Sequence, residues 1–135
     1  MRATKFSQRE YKGYAAIDLK GKLTGGPEAE VFRDLFRSLV QRGKIHVIIN
    51  LGEVEWISST GIGILIRGYK TVREAGGDFV LVRLGERTQQ VFNVLRLDRI
   101  FVVLADEDEA VAYIEKTSKP GSPLEKTRDV WQTHG

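Results

Sequence analysis

One five-residue run constrains this chain more than any other. Ile45-His46-Val47-Ile48-Ile49 is β-branched and nearly unbroken. Such a run suits a central strand shielded on both sides, as in a sheet wrapped by helices. The segment before it carries Val31, Phe32, Leu35, Phe36 and Leu39. Those intervals place all five on one helical face, and Gly43 marks the stop. Pro27 stands where the first helical residue is expected, a position that needs no N–H. A helix feeding directly into a buried strand is one half of a strand–helix–strand unit.

The same alternation continues. Lys5 to Gln8 reads as a short edge strand. Tyr14 to Leu19 reads as a second, leading into Gly21-Lys22-Leu23, and the two can form an antiparallel hairpin across Gly13. After the central run, Ile62, Leu65, Ile66, Tyr69 and Val72 fall on one helical stripe that ends at Gly76-Gly77. Asp78 to Leu84 is a strand. Glu86 to about Leu95 is helical, with Val91, Val94 and Leu95 expected to face inward. Ile100 to Leu104 is a further strand. Asp106, three residues before Glu109, suits a capping arrangement for a last helix that buries Ala110, Val111 and Ile114.

This order predicts an α/β fold: a small, mixed, mainly parallel sheet of four or five strands with about four helices, mostly on one face. Its 135 residues suit one domain. The expected domain covers residues 1–117. Lys119-Pro120-Gly121-Ser122-Pro123 then breaks the pattern, and residues 118–135 read as a flexible tail that Trp131 could dock.

Composition removes several functions. There is no cysteine, hence no disulfide, thiolate nucleophile or cysteine metal site. His46 and His134 are not spaced as a ligand pair, and no Asp-rich loop has calcium-binding spacing, so no metal is expected. Gly61-Ile62-Gly63 begins a dinucleotide pattern, but residue 66 is Ile where the third glycine belongs, so no cofactor is expected either. The net charge of +3 is spread among alternating acids and bases, which argues against nucleic acid. No apolar run reaches membrane-spanning length and no signal peptide opens the chain, so the expected location is the cytoplasm.

One segment invites a functional reading. Ser58-Ser59-Thr60 lies between an apolar strand and a helix start, where unpaired N–H groups gather. One hydroxyl there would serve as an ordinary cap, a contribution of about 1 kcal/mol. Gly61 and Gly63 keep the first turn bare, which lets either the sheet or a partner come close. A phosphate on Ser59 would add about −1.5 to −2 charges at an end of the helix that tolerates anions. Its effect would fall on binding more than on folding. Catalysis by serine is disfavoured. No G-x-S-x-G elbow surrounds Ser59, and the strand from Val47 to Asn50 alone puts about 13 Å between His46 and the serines.

In order and spacing, the chain resembles the STAS family and, within it, the bacterial anti-sigma factor antagonists. The resemblance runs from about Lys5 to Lys116. It is carried by Val47-Ile48-Ile49-Asn50-Leu51, Ser58-Ser59-Thr60-Gly61-Ile62-Gly63, Gly76-Gly77, Val91-Phe92-Asn93-Val94-Leu95 and Asp106-Glu107-Asp108-Glu109-Ala110. It implies a non-enzymatic protein that binds an anti-sigma factor with serine kinase activity and thereby frees a sigma factor. It implies phosphorylation at Ser59, with Thr60 as the next hydroxyl, and a phosphatase that resets the switch. ATP then belongs to the partner. Two positions depart from the family pattern: Ser58 replaces its aspartate, and Gly21-Lys22-Leu23-Thr24 replaces Gly-Glu-Leu-Asp. Lys22 and Thr24 thus join Ser58, Ser59, Thr60, Gly61 and Gly63 as expected partner-facing residues. The departure at Ser58 keeps a second function in view, a STAS-like interaction or scaffold domain that is not phosphorylated.

Overall fold

A computed structural model describes residues 5–25 and 28–118. The Pro27 helix start and the Trp131 tail lie outside the described residues. The elements are β1 (Lys5–Glu10), β2 (Tyr14–Leu23), α1 (Glu28–Gln41), β3 (His46–Ile57), α2 (Ser59–Glu74), β4 (Asp78–Val82), α3 (Glu86–Val94), a 3-10 turn (Leu97–Arg99), β5 (Val102–Leu104) and α4 (Glu107–Ser118). The five strands form one sheet in sequential order. The β1–β2 pair is antiparallel, as the hairpin reading expects, and every other neighbour is parallel.

The central run behaves as its composition demands. Val47, Ile48 and Ile49 are fully or almost fully buried, with alternate residues supplying opposite faces. Val47 and Ile49 join Ala15, Ile17, Phe79 and Leu81 in the larger core, against Phe32, Phe36 and Leu39 of α1, Leu65 and Val72 of α2 and Phe92 of α3. Ile48 joins Ala16, Val80 and Val82 under Ala110 and Ile114 of α4. Three helices therefore cover one face and one covers the other. Asp106 caps α4 as expected, accepting from the Glu109 N–H at 2.9 Å.

His46 pairs locally. Its Nδ1 lies 2.9 Å from Asp78 Oδ2 at the start of β4. Thr117 of α4 donates to the same carboxylate at 3.0 Å, and Arg73 of α2 reaches its other oxygen at 3.5 Å. One buried aspartate thus ties both helical layers to the sheet.

Several expectations need correction. Val31 lies at the margin of the α1 stripe and is exposed. In α3 the buried stripe is Thr88 and Phe92, with Val91 packed beside them. Phe92 fills more core volume than Val94 could, and Val94 lies on the opposite side of the helix from it. Val94 and Leu95 therefore face outward. Ile100 and Phe101 precede β5 rather than forming it. Leu97 and Phe101 point into the core and hold the chain in a 3-10 turn. Leu84 likewise falls beyond the end of β4.

Candidate functional site

The strand ending at Ile57 is much longer than the initial β-branched run. β3 pairs with β4 only over His46–Asn50, yet it follows β2 as far as Leu23 and Ile57, through two register shifts. This β2–β3 extension carries the start of α2 to the C-terminal edge of the sheet. The Ser58 N–H donates to the Leu23 carbonyl at 3.0 Å and fixes the handover from strand to helix.

The three hydroxyls separate into different roles. Ser58 is the N-cap, with extended backbone (φ −93°, ψ 171°). Its Oγ accepts from the Gly61 N–H at 3.0 Å and donates to the Thr24 carbonyl at 3.2 Å. It is half-buried and committed to structure. Ser59 is the first helical residue, and its side chain is exposed. Thr60 is also exposed, with its methyl group close to Gly25, where a β-carbon would collide with it. Neither the Ser59 nor the Thr60 hydroxyl makes a hydrogen bond among the described residues.

The two glycines separate as well. A β-carbon on Gly61 would overlap the Leu23 carbonyl oxygen and press on Ile57. Gly61 is therefore needed for close packing of α2 on the end of β2. A β-carbon on Gly63 would meet nothing within 4 Å. No packing requirement explains Gly63, and the helix surface there lies bare. Lys22 is exposed and Thr24 half-buried on the adjoining end of β2.

The first turn of α2 holds no acidic side chain. Its N–H groups and the positive end of the helix dipole thus meet no fixed negative charge from that turn. An anion attached at Ser59 would sit in a favourable field.

The sheet places Ser59 and His46 at opposite ends of β3, about 36 Å apart at ordinary strand rise. His46 cannot serve as base to this serine. Among the described residues there is also no cluster of acids and histidines able to hold a metal ion, and no helix long and apolar enough to cross a membrane.

The STAS domain model matches residues 5–110. The chain belongs to the STAS domain family. Within that family it falls among the anti-sigma factor antagonists. It is 30% identical to the anti-sigma-B factor antagonist of Bacillus subtilis over 83 residues, or 62% of this chain and 75% of that protein. An anti-sigma factor antagonist from Mycobacterium paratuberculosis has the same fold, with a TM-score of 0.71 at 20% identity over 84% of this chain and 95% of that one. So does the Bacillus cell fate determinant SpoIIAA in its phosphorylated form, with a TM-score of 0.65 at 20% identity over 82% of this chain and 99% of that one. STAS domains of this kind are regulatory rather than catalytic, in line with the expectation of no enzyme.

Sequence reasoning named Lys22, Thr24, Ser58, Ser59, Thr60, Gly61 and Gly63 together but could not divide the work among them. It also missed Trp56, exposed on the β3 extension three residues before Ser59. An exposed tryptophan carries no sequence signal of its own, because strand alternation is broken by the register shifts.

Proposed function

We propose that this chain is an anti-sigma factor antagonist whose partner surface is the start of α2 with the adjoining end of β2. It binds an anti-sigma factor, releases the sigma factor, and is switched off by phosphorylation at Ser59. The observation that carries this reading is the division between the serines: Ser58 does the capping, so Ser59 is left exposed with no structural task. The Ser59 hydroxyl oxygen attacks the γ-phosphorus of ATP held by the partner kinase. The bond to the β-phosphate oxygen breaks, ADP leaves, and the hydroxyl proton passes to a base on the kinase.

The energetics favour a binding switch. The dipole term for an exposed charge here is about 0.3–1 kcal/mol, so the fold tolerates the phosphate. A doubly charged group pressed against a complementary surface costs several kcal/mol. Binding is lost while the domain stays folded. A phosphatase restores the bound form, and the cytoplasm, where kinase and sigma factor act, is the site of function.

A second reading is a binding module that is never phosphorylated. It is favoured by Ser58, which leaves no carboxylate beside the acceptor hydroxyl. Incubation with the cognate anti-sigma kinase and ATP, followed by mass spectrometry, separates the two. Phosphate on Ser59 supports the switch; an unmodified Ser59 beside an active kinase refutes it and leaves the module.

A further inference from the structure

A second surface stands apart from the Ser59 site. Val94, Leu95 and Ile100 are 79%, 53% and 41% exposed, and they are half of the exposed large hydrophobic residues among those described. All three belong to the short segment that runs from the last residue of α3, Val94, through the 3-10 helix to its C-cap, Ile100. The turn is tightly built: Leu95 and Arg96 donate back to Val91 and Asn93, and Ile100 and Phe101 both donate to Leu97. Phe92, Leu97 and Phe101 anchor it from below. The three exposed side chains are therefore presented on a rigid base. Such groupings mark interaction sites more often than scattered apolar residues do.

Charge says what would fit there. Arg96 and Arg99 flank the apolar residues, both are exposed, and neither makes an ion pair among the described residues. Asp98 is the acid between them. Arg96 also holds a left-handed backbone, φ 59°, where glycine would be free of strain.

The location makes this surface independent of the switch. Ile48, Val80 and Val102 lie level across the sheet. Ser59 follows Ile57, nine residues further along β3, or about 30 Å at strand rise. Ile100 lies just before Val102, at the other edge. We propose that the turn from Val94 to Ile100 is a second docking surface, fitted to an acidic protein segment with an apolar face. Both partners can then bind at once.

The test uses the full chain, ¹⁵N-labelled, titrated with a synthetic helical peptide bearing Leu and Glu at helical spacing. A second peptide has Lys in place of Glu. The proposal expects shifts at residues 94–100 with none at 59–63, and binding of the Glu peptide about tenfold tighter than the Lys peptide. Val94→Ser with Leu95→Ser should weaken it about tenfold. Arg96→Glu with Arg99→Glu should reverse the peptide preference. These substitutions lie on the surface, and an unchanged circular dichroism spectrum shows that each variant folds. Absence of binding at millimolar peptide, equal binding of both peptides, or indifference to the substitutions overturns the proposal. So does sedimentation showing self-association that Val94→Ser abolishes, or binding to phosphatidylserine vesicles in preference to the Glu peptide.

Discussion

Replacing Gly61 and Gly63 by alanine, one at a time, separates a packing glycine from a surface one. In Gly61→Ala the new methyl group would occupy the space of the Leu23 carbonyl oxygen. That oxygen is fixed in turn by the Ser58 N–H at 3.0 Å. Overpacking of this kind costs about 1–3 kcal/mol. Relief requires α2 to move off β2, which stretches the Ser58 bonds to Leu23 and Thr24, each a net contribution of about 1 kcal/mol. Alanine recovers about 1 kcal/mol of helix propensity at most. The net loss is about 3 kcal/mol, or roughly 10 °C in Tm for a domain of this size. Gly63→Ala meets open space and should gain about 0.5–1 kcal/mol. Urea unfolding followed at 222 nm measures both. If Gly61→Ala lies within about 1 kcal/mol of the parent, or Gly63→Ala is as damaging as Gly61→Ala, the proposed packing of α2 on β2 is wrong.

Three further outcomes are expected. Ser58→Ala removes the cap and the link to Thr24 and should cost about 1–2 kcal/mol, whereas Ser59→Ala should change stability by less than about 0.5 kcal/mol; denaturant midpoints check both. Asp78→Ala strips the shared partner from His46, Thr117 and Arg73 and should cost about 3 kcal/mol, with α4 amides losing hydrogen-exchange protection first. Burial raises the Tyr113 hydroxyl above the ordinary tyrosine value. Its stabilising contribution is therefore complete below about pH 10 and is lost as pH rises through the folded-state value. Stability measured from pH 9 to 11 should fall less steeply in Tyr113→Phe than in the parent protein.

Much of the architecture could be read from hydrophobic period. The run at Val47–Ile49 had to be covered on both faces, and the structure covers it with three helices on one side and α4 on the other. The errors arose where period alone could not choose between adjacent stripes. In α3, Val91, Val94 and Leu95 satisfy helical spacing, but Phe92 brings more apolar surface and takes the core position. At Ile100–Phe101 an apolar pair resembled strand, while the tertiary fit of Leu97 and Phe101 called for a turn. The serine cluster was visible as a cluster only. Which hydroxyl caps the helix depends on where β3 ends, and that depends on the register shifts opposite Lys20 and Lys22, which have no local signature.

The switch itself is tested most directly by installing phosphoserine at position 59 and titrating the protein into its anti-sigma partner by calorimetry. Binding should weaken by about a hundredfold, corresponding to about 3 kcal/mol, while folding stability changes by less than about 1 kcal/mol. Equal affinity of the phosphorylated and unphosphorylated forms, or a phosphorylated form that no longer folds, would contradict the proposed switch.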